Sequence, residues 1–194
     1  MTAAPFILPE PAPLQLVAAA QTYVGFGEHS PYHRGRFVDA LLIQAEGRVS
    51  PVGRGERPRW DAAFVHHVGY WSQFRQRDER TAWPLPYHAD LGATAAWARA
   101  HALVRHAASA GDVFMLWSAA EERYVRIGII AEVGEANEFE HDMWQYDCIT
   151  IEGDSGFNLE LGGGRVTRHK RQLSAHRRDL FIDWTGALLD KEVL

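Results

Sequence analysis

The chain has 194 residues, of which 46% are hydrophobic and 23% charged, and its formal net charge at pH 7 is −5. This length and composition predict one soluble globular domain, and the acidic balance argues against a nucleic-acid partner or a polybasic membrane anchor. Ten histidines stand against one cysteine, Cys148, which excludes an intramolecular disulfide and a zinc site built from several cysteines. We therefore expect no nucleic-acid partner, no membrane partner and no cofactor.

The N-terminal stretch is rich in proline. Because Pro5, Pro9, Pro11 and Pro13 forbid a continuous helix, residues 1–10 are predicted to form a flexible arm before a single domain at residues 11–194. A secretory signal requires a Lys or Arg before its apolar stretch, and this N-terminus has none there. No run approaches the ~18 apolar residues of a membrane-spanning helix. The sequence thus predicts a cytoplasmic or leaderless protein.

The first half of the chain predicts helices. Apolar residues recur at helical spacing, and Pro13 is well placed to open the first helix. The second helix is expected to end near Gly47, and an Ala-rich composition indicates the fourth helix. The four predicted helices cover residues 13–24, 37–47, 60–74 and 89–107.

The second half of the chain predicts strands. Three stretches rich in β-branched and aromatic residues are separated by turn residues, and two shorter candidates follow. They cover residues 112–118, 124–133 and 144–152, then 166–168 and 180–184. The connections between the strong strands are too short for crossover helices, so the sheet should be mostly antiparallel. Helices followed by strands indicate an α+β fold.

Five short segments follow one another in a recognisable order. They are AAAQTYVGFGE at 18–28, RWDAAFV at 59–65, AGDVF at 110–114, RIGII at 126–130 and TIEGD at 150–154. The series resembles the CHAP and NlpC-type amidohydrolases and peptidases, the bacterial cell-wall branch of the papain-like fold. The resemblance covers roughly residues 15–184. It implies a papain-like domain in which N-terminal helices pack on a mostly antiparallel C-terminal sheet.

The reactive positions of that family are changed in this chain. Asp61 stands where the family has its nucleophilic Cys, and Arg126 where it has its general-base His. Glu152 and Asp154 match the polar residues that orient the His, although Asp154 replaces the common Asn. An arginine stays protonated in proteins and cannot accept a proton as His does. The Cys–His mechanism is therefore absent, and we expect the chain not to be an enzyme of this type.

Two interpretations of Asp61 are compatible with each other. Asp61 beside Arg126 would keep the negative and positive signs of a thiolate–imidazolium pair, with Glu152 on the other edge of the guanidinium. This predicts an Asp61–Arg126–Glu152 ion network in the former catalytic cleft. Asp61 is also suited to capping the helix that begins at this point.

Several aromatic and histidine residues are predicted to line the same cleft. His66 and His67 share a helix with Asp61, but adjacent helical residues point about 100° apart and do not bind one metal ion, so no metal site is predicted. A Trp-Pro-Leu-Pro-Tyr loop is suited to stacking on a sugar or peptide. The predicted lining residues are Trp60, His66, His67, Trp83 and Tyr87.

Two further features have ordinary structural interpretations. Cys148 shares a strand face with Thr150 and Glu152, but lies about 13 Å from Glu152, too far to replace the missing nucleophile. We interpret it as a buried, inert thiol. Residues 165–178 carry eight basic or His residues in an otherwise acidic chain. They form a solvated face, or a surface for an acidic protein or an anionic glycan.

Three functional hypotheses follow. The first is a catalytically inactive relative of the CHAP and NlpC-type enzymes that keeps its cleft to bind a peptidoglycan fragment or peptide. The second is a hydrolase of altered chemistry that uses Asp61 with a metal or with one of His66, His67 and His88. The third is an interaction module that uses residues 165–178 to bind an acidic protein.

Overall fold

The computed structural model describes residues 12–27, 36–46, 60–74, 85–88, 90–140, 143–155 and 164–185. The predicted arm at residues 1–10 and the predicted cleft residue Trp83 lie outside these ranges.

Among the residues that the structure describes, four helices precede the main strands. They are α1 (Ala12–Gln21), α2 (Arg36–Glu46), α3 (Asp61–Phe74) and α4 (Leu91–Ala100). All four lie within or at the edges of the predicted helical stretches. Within the described part of the chain, no helix has the length and apolar character needed to cross a membrane.

The prediction of one helix over residues 89–107 is wrong in its second half. Asp90 caps α4, since its side chain accepts the N–H of Gly92 at 2.9 Å, and the helix closes at His101. The next residue, Ala102, has a positive φ of 54°. The chain then continues as a short strand that pairs with a strand near residue 181. This long-range pairing outweighs the helical preference of the Ala-rich sequence.

Six strands form one sheet in which every pair is antiparallel. They are β1 (Val104–Arg105), β2 (Val113–Ser118), β3 (Arg123–Glu140), β4 (Met143–Glu152), β5 (Thr167–Leu173) and β6 (Leu180–Ile182). Their order across the sheet is β1-β6-β2-β3-β4-β5. The α+β class and the antiparallel sheet are therefore confirmed. Strands β3 and β5 run well beyond their predicted ends.

The two faces of the sheet have different neighbours. Ile127, Ile129 and Ile151 belong to the main core, which also contains the buried residues of the helices. Ile130 and Cys148 belong to a second, smaller core. Because side chains alternate along a strand, Arg126 lies on the same face as Ile130, and Glu152 on the face opposite Ile151. This alternation decides which polar residues meet.

Gly153 lets the first turn of α3 approach the end of β4. A Cβ atom at this position would lie 2.7 Å from the Cβ of Phe64 and 2.9 Å from Cζ3 of Trp60. Only a residue without a side chain allows this contact. The close approach brings the beginning of α3 to the end of β4.

Candidate functional site

Asp61 is the first residue of α3 and its side chain is buried. Its Oδ1 accepts the N–H of Ala62 at 3.1 Å, and the positive end of the helix dipole stabilises a carboxylate at this position. Asp61 lines a cleft of about 470 Å³, here called the Asp61 cleft. The other lining residues belong to α4 and its N-cap, to the neighbouring ends of β2 and β3, and to the turn between these strands. They are Asp90, Leu91, Gly92, Arg99, Trp117, Glu122, Arg123 and Tyr124.

Aromatic rings and guanidinium groups shape one wall of the Asp61 cleft. The rings of Trp117 and Tyr124 meet edge to face, with centroids 5.0 Å apart. Nη2 of Arg99 donates to the Tyr124 hydroxyl at 2.6 Å, and the guanidinium carbon lies 5.8 Å from the ring centroid. The cleft therefore offers an aromatic surface, two guanidinium groups and the three carboxylates of Asp61, Asp90 and Glu122. The sequence motifs did not point to Arg99, Trp117 or Tyr124.

Arg126 does not join the predicted ion network. Its Nη1 donates to the backbone carbonyl of Asp154 at 2.8 Å, and within the described ranges it forms no ion pair with Asp61 or Glu152. Arg126 does not meet Asp61 because strand alternation places it on the face of the sheet away from α3. Glu152 lies on the same face as Arg126, but its carboxylate is bound by Arg171, so the predicted network is wrong. At Asp154 the chain leaves the sheet with a φ of 50°, and its carbonyl accepts the hydrogen bond.

Glu152 is completely buried, and its partner is Arg171. Arg171 donates from Nε to Oε1 at 2.8 Å and from Nη2 to Oε2 at 2.7 Å. Thr150 donates its hydroxyl to Oε1 at 2.6 Å. Burial by itself raises the pKa of Glu152, but the hydrogen bonds and charge of Arg171, with help from Thr150, leave that pKa lowered. Glu152 is thus an ionised, fully engaged carboxylate.

His169 completes a polar cluster on this face of the sheet, which we call the far-face cluster: Arg126, Thr150, Glu152, His169 and Arg171. The Nε2 of His169 lies 2.7 Å from the Thr167 hydroxyl. Burial lowers the pKa of His169; Glu152 opposes this effect, while Arg171 and Arg126 add to it. The structure therefore separates the predicted site into the Asp61 cleft and the far-face cluster.

The predicted cleft-lining residues lie elsewhere. Trp60 is fully buried in the main core. The Nε2 of His67 lies 3.0 Å from the Tyr23 hydroxyl, and its Nδ1 contacts Gln44. His66 packs against Tyr87, with ring centroids 6.1 Å apart. Within the described ranges, none of these residues lines the Asp61 cleft.

Burial affects both histidines of α3. It lowers the pKa of His66, and together with the charge of His66 it lowers the pKa of His67 to about 4. Both imidazoles are therefore neutral at pH 7. Neither has a described contact with Asp61. His88, the third histidine that the altered-chemistry hypothesis allows, is half-buried and does not line the Asp61 cleft.

Cys148 is buried, as predicted, and belongs to the second core. Burial, and next to it the charge of Asp147, raises the pKa of the thiol to about 11, so the reactive thiolate is scarce at neutral pH. Across the described residues, no three His, Cys, Asp or Glu side chains are grouped so as to hold a metal ion.

Comparisons with models of protein families, with curated proteins and with solved structures find no match to this chain.

Proposed function

We propose that this chain is a non-hydrolytic relative of the CHAP and NlpC-type enzymes, and that its Asp61 cleft binds a peptidoglycan fragment or peptide. The motif series supports the papain-like part of the proposal. So does the packing of the α3 N-terminus against Gly153 at the end of β4, because the family's nucleophile opens the helix after the conserved Trp. Asp61 occupies that place here.

The chemistry of the two replaced positions supports the loss of hydrolysis. A carboxylate at the head of a helix is stabilised and is a poor nucleophile toward an amide. The observation that carries the proposal is that Arg126, in the position of the general base, is bound to the Asp154 carbonyl and forms no ion pair with Asp61. Neither residue can activate the other for acyl transfer.

The Asp61 cleft has the groups that a glycopeptide needs. Trp117 and Tyr124 supply ring surface for the apolar face of a sugar. Arg123 pairs with the exposed Glu121 through Nε and Nη2 and keeps its Nη1 donors for a peptide carboxylate. Asp61 can accept hydrogen bonds from amide N–H or hydroxyl groups. The volume of about 470 Å³ lies in the usual range for small-molecule sites.

The altered-chemistry hydrolase is less well supported. It needs an imidazole within hydrogen-bond reach of Asp61. His67 is engaged with Tyr23 and Gln44, and His66 packs against Tyr87. His88 does not line the Asp61 cleft. We therefore propose binding and not an altered hydrolysis.

Isothermal titration with a purified disaccharide-tetrapeptide muropeptide tests the proposal. Replacing Asp61 with Ala or Trp117 with Ala should weaken binding by about tenfold or more, which is about 1.4 kcal/mol. Asp147→Ala, at an exposed acidic residue of β4 outside the cleft, should leave the affinity unchanged. Circular dichroism checks that each variant folds. Absence of binding by the wild-type chain, or equal binding by Asp61→Ala, would contradict the proposal.

A further inference from the structure

A second cavity lies where β5, the 3₁₀ helix at Ala175–Arg177 and the β2–β3 turn meet. We call this cavity of about 750 Å³ the basic groove. Its charged walls carry Lys170, Arg171, Arg177 and Arg178, of which Arg171 is paired with Glu152, against the two carboxylates Glu122 and Asp179. This concentration of positive charge contrasts with the net charge of −5 of the whole chain, and it favours an anionic ligand.

Among the described residues Asp179 forms no ion pair with these cations, and its carboxylate accepts backbone N–H groups instead. Oδ1 accepts the N–H of Trp117 at 3.0 Å, and Oδ2 accepts the N–H of Ser174 at 2.9 Å. The side chain is buried. Its role is to fix the 3₁₀ helix against β2, which holds the groove in shape.

Arg171 is held in place by the far-face cluster. Its Nε and Nη2 are bound to Glu152, so the guanidinium has one fixed orientation. The Nη1 donors have no acceptor among the residues that the structure describes, and the side chain is 29% exposed. An oxyanion in the groove can accept these donors without the entropy cost of ordering the side chain.

Arg178 has an unusual backbone for a side-chain-bearing residue. Its φ is 68°, a conformation that glycine adopts far more readily. Its guanidinium carbon lies 5.3 Å from the centroid of the Trp117 ring. The strained backbone thus presents a cation above an aromatic wall of the groove.

We propose that the basic groove binds a phosphorylated small molecule that carries at least two negative charges. Guanidinium groups bind the oxygens of phosphate in pairs, and separated cations suit a ligand with more than one charge. Leu116 and Trp117 give the groove an apolar wall for the rest of the ligand. The concave shape and the volume favour a small molecule over an acidic protein surface. This inference does not depend on the proposed function of the Asp61 cleft.

Titration of the full chain with inorganic pyrophosphate and tripolyphosphate tests the inference. We expect binding that tightens from pyrophosphate to tripolyphosphate and weakens as salt is raised. Lys170→Glu and Arg177→Glu should each weaken tripolyphosphate binding about tenfold or more. The matched control is Arg168→Glu, at an exposed β5 residue paired with Glu132 outside the groove. It should change the affinity less than about twofold.

Arg178→Gly gives a sharper test because it removes the guanidinium and also relieves the backbone. The melting temperature should stay the same or rise, while tripolyphosphate binding weakens. Three results would overturn the inference: no binding of either phosphate probe at millimolar concentration, equal weakening by Arg168→Glu, or displacement of tripolyphosphate by a much tighter-binding Glu-rich peptide. None of these titrations contains muropeptide, so a negative result would not bear on the proposed function of the Asp61 cleft.

Discussion

Glu152 and Arg171 form a bidentate ion pair along one face of β4 and β5, although they are not opposite each other in the sheet. Arg171 faces Cys148, and Glu152 faces Thr167. The Arg171 side chain reaches back along β5 to place Nε at 2.8 Å and Nη2 at 2.7 Å from the two Glu152 oxygens. The carboxylate that resembles a catalytic orienting residue therefore serves an internal ion pair.

The Glu152–Arg171 ion pair predicts that replacing Arg171 alone costs much more stability than replacing both residues. Arg171→Met leaves the fully buried Glu152 charge without its partner, so the free energy of unfolding should fall by about 3–5 kcal/mol. Glu152→Gln combined with Arg171→Met should recover much of that loss, because no buried charge remains. Urea unfolding measures both. Equal destabilisation of the single and double variants would show that the charge is not the cause. Arg168→Ala, which breaks an exposed pair with Glu132, should cost at most about 1 kcal/mol.

The contact at Gly153 predicts that a single methyl group is disruptive. In Gly153→Ala the new Cβ would lie 2.7 Å from Phe64 and 2.9 Å from Trp60, so α3 must move away from β4. We expect a loss of about 1–3 kcal/mol in thermal or urea unfolding. The control is Gly92→Ala in α4, where the nearest atom is 3.2 Å away on the side chain of Asp90. That change should be neutral or stabilising by up to about 1 kcal/mol. Similar effects of the two substitutions would argue against close packing at Gly153.

The lowered pKa of His67 predicts that the folded state loses stability in acid. Burial and the neighbouring His66 lower its pKa from 6.5 to about 4, so between these values the unfolded chain binds a proton that the folded chain does not. The free energy of unfolding should therefore fall as pH falls from about 6.5 to about 4, with a slope below about 1.4 kcal/mol per pH unit because the ring is partly exposed. His67→Gln should remove this contribution. An unchanged slope in the variant would contradict the assignment.

The raised pKa of Asp112 predicts the opposite dependence of stability on pH, over a pH range that overlaps that of His67. Burial raises its pKa from 3.8 to about 7, against the lowering effects of Arg105 and of the Ser109 N–H. The folded state therefore holds a proton that the unfolded state has released, and stability should fall as pH rises from about 4 to about 7. Asp112→Asn keeps an acceptor for Ser109, which donates to Oδ2 at 2.9 Å. The variant should gain more stability over the wild type at pH 8 than at pH 4. A gain that does not depend on pH would contradict this expectation.

Local patterns in the sequence were sufficient to place α3 and the central strands. The Trp-Asp-Ala-Ala start and the apolar spacing locate the beginning of α3 at Asp61. The helix predicted to run to residue 107 failed because Val104 pairs with Ile182, a contact that no local pattern contains. Strand β5 was predicted only as far as Arg168, because Thr-Arg-His-Lys-Arg-Gln has no apolar residue to show a period of two.

The error in the ion network has the same origin. Arg171 lies in the part of β5 that the sequence pattern did not reveal, so the partner of Glu152 was assigned to Arg126. Alternation along β3 argues against the Asp61–Arg126 contact, since Ile127 and Ile129 face the helices and Arg126 faces away from them. It leaves Arg126 on the same face as Glu152, whose carboxylate is bound by Arg171. The Asp61 cleft itself brings together α3, α4 and the β2–β3 turn, which are distant in sequence and carry no shared motif.

Hydrolysis by this chain would require Asp61 and Arg126 to replace the family's Cys and His. Incubation of the purified chain with peptidoglycan and defined muropeptides tests this, with new amine and carboxylate ends followed by mass spectrometry and an active cell-wall amidase as positive control. We expect no cleavage above that of the Asp61→Ala variant. Amide cleavage by the wild-type chain that disappears in Asp61→Ala would contradict this expectation.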